Sequence, residues 1–227
     1  MSNRFKLFTI IELLVVVSIL AILISLLQPT LSSMFENGRL IVCSSNLKTQ
    51  YLAVDYYAED HQSIPHARDW FPGAYDWEPS ARLHASKSWE YVENVDLYIC
   101  PTFRMVNDSL PNRKKVKSFS YALNWFASRN PKTFFDFQHP SQMALISEEN
   151  PFVIDGLYRH SFNDGFIYVG PWNPVHIDGI ATFHNASSYN SPEPRDGFAN
   201  VLFIDGHVGL GDINQLNEVM RDIPIKN

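Results

Sequence analysis

Cysteine and positive charge are both scarce in this chain. Only 2 of its 227 residues are cysteine, too few to build a zinc-finger site or a disulfide-dense scaffold. Lys and Arg number 18 against 24 Asp and Glu, a formal net charge of -6. A mildly acidic chain lacks the basic footprint that broad nucleic-acid binding requires, so no nucleic-acid partner is expected. The motifs of hydrolytic and phosphoryl chemistry are missing too: there is no Gly-x-Ser-x-Gly, no His-Glu-x-x-His and no phosphate-cradling glycine loop. The chain is therefore expected not to be an enzyme. Internal repeats and low-complexity tracts are absent. What is present is apolar material, with 45% hydrophobic and 14% aromatic residues. That is enough for a core and excludes wholesale disorder, and the length suits one domain with an appendage.

Charge is almost missing from one stretch. Phe8 to Leu27 holds a single ionisable residue, Glu12. A helix of that length spans roughly 30 Å, the thickness of a bilayer's hydrocarbon core. Arg4 and Lys6 precede it, and basic residues on that side keep the N-terminus cytoplasmic and send the rest of the chain across. A secretory signal peptide would be shorter and followed by a small-x-small cleavage site, whereas Gln28-Pro29-Thr30-Leu31 follows here. A plain single-pass anchor fits the hydropathy but leaves Glu12 unexplained, because a carboxylate among apolar side chains in lipid is expensive unless it is paired or interfacial.

The stretch Lys6-Leu7-Phe8-Thr9-Ile10-Ile11-Glu12-Leu13-Leu14-Val15-Val16-Val17 resembles the N-terminal cleavage and methylation motif of type IV pilins and type II secretion pseudopilins. The resemblance implies that a prepilin peptidase cuts between Leu7 and Phe8, that the Phe8 amine is methylated, and that Glu12 pairs with that amine on a neighbouring subunit. A cationic amine is the partner a lone intramembrane carboxylate lacks. The family usually has Gly just before the cut, where this chain has Leu7. The implied partners are other pilin-like subunits, the peptidase, an inner-membrane assembly or secretion machine, and membrane lipid. The implied location is the inner membrane, single-pass, with the head outside the cytoplasm, and a filament after assembly.

Beyond the membrane segment, Pro29 is expected to kink the helix. Leu31, Met34, Phe35, Leu40, Ile41, Leu47, Tyr51, Leu52 and Val54 then recur at mixed helical spacings, which predicts an amphipathic continuation to about Glu59, loosened near Asn37-Gly38. From Pro65 onward no long helical period survives. Short apolar runs predict strands over Leu97–Cys100, Ser118–Leu123, Met143–Ser147, Gly165–Val169, Ile180–Phe183, Asn200–Ile204 and Val208–Leu210, with Asp205-Gly206 as a two-residue hairpin turn. Asn214–Arg221 reads as a terminal helix and Asn185–Gly197 as an exposed loop. The fold class is thus α+β and pilin-like: a leader (1–7), a transmembrane helix (8–29), its amphipathic continuation (30–60), and a head (61–227) built on an antiparallel sheet.

Cys43 and Cys100 favour pairing in an oxidising compartment, tying helix to head, with two buried free thiols as the alternative and metal binding a distant third. A second resemblance covers spaced points of the head. Cys43-Ser44-Ser45-Asn46-Leu47-Lys48, Tyr98-Ile99-Cys100-Pro101, Ser120-Tyr121-Ala122-Leu123-Asn124 and Ala199 through Val208 are similar to landmarks of a large bacterial pilin-like group. That group has a His followed nine residues later by Asp-Gly. Here His184 matches, and an insertion of eleven residues within Ser187–Gly197 separates it from Asp205-Gly206.

Glu148, Glu149, His160, Asp164, His176, Asp178, His184, Asp205 and His207 supply the side chains for any chemistry in the head. Asp205 and Glu148 are the first candidates for a metal, with calcium favoured because pseudopilins sometimes use it to order a loop. Against this, Asp-Gly is also what a tight hairpin demands. Glu148 and Glu149 are adjacent, so on a strand they face opposite ways and do not make a two-carboxylate pair. Trp70, Phe71, Tyr75 and Trp77 are either core or a glycan-stacking surface.

Overall fold

The computed structural model describes residues 9–71, 83–109, 119–129, 132–149, 165–167, 180–186, 196–212 and 215. The chain divides into two units, 1–38 and 39–227. One helix, α1, runs over Ile10–His61 and stays helical through Pro29 and Gly38. The Asn37-Gly38 dipeptide therefore does not interrupt it. In the first unit its apolar side chains, Ile10 through Leu27, are exposed throughout. An 18-residue window there has a mean hydropathy of 3.0, long and apolar enough to cross a membrane.

In the second unit the buried face of α1 matches the apolar residues only in part. Ile41 and Leu52 are exposed, whereas Cys43, Asn46, Leu47, Gln50, Ala53 and Val54 are buried. These six recur at three- and four-residue steps and define a single stripe. The stripe includes two amides because it meets main chain as well as side chains. Asn46 Nδ2 donates to the Asp96 carbonyl at 3.2 Å, and Gln50 Nε2 donates to the Leu97 carbonyl at 3.4 Å.

That pairing explains one failed expectation. Leu97–Cys100 is not a strand: Val95–Tyr98 is a turn of 3-10 helix, opened by the Asn94 side chain accepting from the Asp96 N–H. Its carbonyls are taken by α1 amides and by the Ser120 N–H, which donates to Tyr98. Pro101 then starts a helix, Pro101–Ser109, at the position where its missing N–H costs nothing.

The sheet has five strands: β1 (Tyr121–Asn124), β2 (Ala144–Glu148), β3 (Phe166–Ile167), β4 (Ala199–Phe203) and β5 (Val208–Gly211), in the order β3-β1-β2-β4-β5. Four strands pair antiparallel, and the short β3 joins β1 in parallel. The architecture is α+β, with one long helix and a mainly antiparallel sheet. β1, β2 and β4 are buried along their whole length, which is why they read as continuous apolar runs. Ile180–Phe183 forms no strand and contributes one isolated bridge, Glu149 to Ile180, and the next residue, His184, makes another to Phe198. The expected terminal helix, together with Tyr75, Trp77, His160, Asp164, His176 and Asp178, lies outside the described residues. Trp70 and Phe71 are fully buried core residues.

The Asp205-Gly206 hairpin forms with a different turn. The Gly206 N–H donates to Phe203 O and the Phe203 N–H donates to His207 O. Only Gly206 has positive φ, +83°. This is a type I turn closed by a left-handed glycine, not a two-residue turn with both centres left-handed. A Cβ at Gly206 would lie 2.7 Å from the Tyr51 ring, so glycine is required for both conformation and space.

Candidate functional site: a buried cluster at the disulfide

Cys43 and Cys100 are joined by a disulfide with a Cα–Cα distance of 5.1 Å. It links the second half of α1 to the start of the Pro101–Ser109 helix. The Cys100 N–H donates to Ser120 Oγ at 2.7 Å, which fixes that sulfur at the end of β1.

Two ionisable side chains sit against the bridge. Glu148 ends β2 and His184 lies beside β4, and both are 0% exposed. His184 Nε2 is 3.0 Å from Glu148 Oε1 and 3.5 Å from Cys100 Sγ, while its Nδ1 is 3.2 Å from Thr102 Oγ1. The other carboxylate oxygen, Glu148 Oε2, accepts from the Asn200 N–H at 3.3 Å. A neutral His184 protonated on Nε2 donates to Glu148 and accepts the Thr102 hydroxyl on Nδ1, so every polar atom of this chain of contacts is used. Tyr121 is also fully buried. Burial first, and then the Glu148 carboxylate, push its hydroxyl well above the usual tyrosine range, with the Asn46 side chain acting in the opposite direction.

His184 is held in this place by its main chain, which exchanges two hydrogen bonds with Phe198, at 3.0 and 2.8 Å. Asn185, next to His184, has φ +56°. Gly197 is required at its position, because a Cβ there would collide with the carbonyls of Thr182 and His184. The landmark residues of the second resemblance therefore meet at one junction. Lys48 Nζ donates to the Gly206 carbonyl at 2.6 Å, and Asn200 Nδ2 donates to the Leu40 carbonyl at 3.4 Å.

The two metal candidates are not brought together. Among the described residues the cluster of potential ligands is Cys43, Cys100, Glu148 and His184, and Asp205 is not a member. Asp205 is on the hairpin, 2.6 Å from His207 Nδ1 and accepting the His207 N–H at 3.1 Å. Partial burial pulls its carboxyl up, but the His207 backbone and ring contacts outweigh this and leave it below the usual carboxylate value. Its role in the fold is that of a turn residue.

Glu12, the candidate assembly residue, is engaged locally. Its Oε2 accepts from both the N–H and the hydroxyl of Thr9, each at 2.8 Å, and its own N–H reaches Thr9 Oγ1 at 3.3 Å. Thr9 and Glu12 thus form a reciprocal cap on the first turn of α1. The signal was in the sequence, since Thr-x-x-Glu before an apolar run is the signature of such a cap. Leu7 and Phe8 lie outside the described residues.

Compared with family models, with curated proteins and with solved structures, the chain matches none.

Proposed function

We propose that the chain is a pilin-like structural subunit, held in the inner membrane by the apolar half of α1 and extracted from there into a type IV pilus or a type II secretion pseudopilus. The observation that carries this reading is a membrane-length apolar helix with one carboxylate, Glu12, in its first turn, directly after a basic leader and a candidate cut between Leu7 and Phe8. In a filament core the bundled helices cover the apolar side chains that are exposed in the single chain. Glu12 exchanges its Thr9 partner for the Phe8 amine of a neighbour and so sets the register. The head, stapled by Cys43–Cys100, coats the surface and performs no catalysis. Prepilin peptidase and an inner-membrane assembly machine are the partners of this pathway, and nucleic acid is not.

Mass spectrometry of the native protein tests it. Phe8 is expected as the N-terminus, methylated, and Glu12→Ala is expected to insert normally yet fail to enter filaments. An intact Met1–Leu7 leader on a protein that stays out of filaments would sink the reading, and normal incorporation of the variant would sink the pairing of Glu12 with the Phe8 amine. The second reading is a single-pass anchored extracytoplasmic binding protein, for a glycan or a surface, that never polymerises. The Thr9–Glu12 cap favours it, because a capped carboxylate at a membrane interface needs no neighbour.

A further inference from the structure

A disulfide needs two sulfurs and no polar company, yet this one is faced by an imidazole and a carboxylate, both without solvent exposure. The four potential ligand atoms of Cys43, Cys100, Glu148 and His184 lie within 4.8 Å of one another. Around a tetrahedral zinc ion, donor atoms are separated by about 3.3–3.8 Å. Small side-chain movements therefore suffice once the S–S bond no longer holds the sulfurs together. We propose that, when the disulfide is reduced, these four side chains bind one zinc ion, so that the same residues staple the head to α1 in either redox state.

The donor set selects the metal. Two thiolates and an imidazole are borderline-soft ligands suited to zinc and not to calcium, and four protein ligands with no open position describe a structural site. Two cysteines alone do not make a zinc site, and here His184 and Glu148 complete the set.

Thr102 fits both states. With the disulfide formed, its hydroxyl donates to His184 Nδ1 while Nε2–H faces Glu148. With zinc on Nε2, the proton sits on Nδ1 and the same hydroxyl, 3.2 Å away, turns to accept it. A partner of this kind fixes tautomer and ring orientation at metal sites. The chemistry balances with a phosphine as reductant: phosphine, disulfide and water give phosphine oxide and two thiols. Zinc then displaces the two thiol protons to solvent. A disulfide oxidant such as oxidised glutathione reverses this, taking two electrons from the thiolates, re-forming the Cys43–Cys100 bond and releasing the ion. Because the site is buried, the ion enters as a reduced chain folds or through local opening.

The test uses the full chain in detergent, reduced with a phosphine and given zinc alone, against the oxidised chain as control. One chelator-resistant zinc per reduced chain is expected and none per oxidised chain, with stoichiometric release on adding oxidised glutathione. Cobalt in place of zinc should give the visible bands of a tetrahedral thiolate site. Thr102→Val is expected to weaken zinc about 10- to 100-fold while the Cys43–Cys100 bond still forms on oxidation, and His184→Ala more. If the reduced chain loses its near-UV circular dichroism, zinc must restore it. A reduced chain that stays folded and takes up no zinc, a reduced chain that zinc fails to refold, or equal uptake by the oxidised chain would each overturn the proposal. None of these outcomes depends on whether the protein forms filaments.

Discussion

Glu12 and Glu148 are both carboxylates placed among apolar side chains, one in each unit of the chain, and they are satisfied in opposite ways. Glu12 is exposed and held by a residue three positions away, Thr9. Glu148 is fully buried and held by partners 36 and 52 residues away, His184 and Asn200. A local cap can form in any single helix, so Glu12 stays available for exchange. A non-local cage exists only in the folded head and is lost with it. The first arrangement is one that a single helix can make and exchange, the second one that depends on the folded head.

The disulfide is the largest element of the junction between α1 and that head. Replacing both Cys43 and Cys100 by Ala removes a link between residues 57 apart, and chain entropy puts its worth at about 4 kcal/mol. Chemical denaturation of the oxidised full-length protein should show that loss in the head transition. Membrane insertion should be unaffected. A loss below about 1 kcal/mol would mean that the α1–head packing holds the junction without the bridge.

Glu148→Ala should come next. It leaves the His184 ring and the Asn200 N–H buried without their acceptor, which costs about 3 kcal/mol. Glu12→Ala, measured by the same denaturation, should leave the head transition where it is. If the two substitutions move that transition equally, the division between a local and a non-local carboxylate is wrong.

Legibility in the sequence follows the same division. The membrane-length helix was readable because it depends on contiguous residues. So were β1, β2, β4 and β5, to within a residue or two at most ends, because buried strands are apolar runs and Asp205-Gly206 marks a turn. The failures have a common cause in partners far apart in the chain. Leu97–Cys100 is apolar enough for a strand, but Asn46 and Gln50 on α1 take carbonyls of this segment. The buried stripe of α1 contains those amides, so apolar periodicity finds Leu47 and Val54 but passes over Asn46 and Gln50 and includes exposed Ile41 and Leu52. Glu148 was named as a ligand candidate, but its partners His184 and the disulfide are assembled only by tertiary structure. The twenty residues between His184 and Asp205 hid how firmly His184 is placed.

The smallest expected effect sharpens the comparison at the membrane end. Thr9→Ala removes the hydroxyl that donates to Glu12 and the acceptor of the Glu12 N–H, while the Thr9 N–H contact can persist. Loss of a side-chain N-cap is worth about 1 kcal/mol, so amide exchange in the first turn of α1 should quicken about fivefold and nothing in the head should change. Filament assembly discriminates further. If Glu12 must leave Thr9 to find the neighbouring amine, weakening the cap lowers the cost of leaving, and Thr9→Ala should assemble at least as well as the parent chain. If the cap is instead the carboxylate's permanent role, Thr9→Ala and Glu12→Ala should fray the same turn alike and leave every intersubunit property untouched.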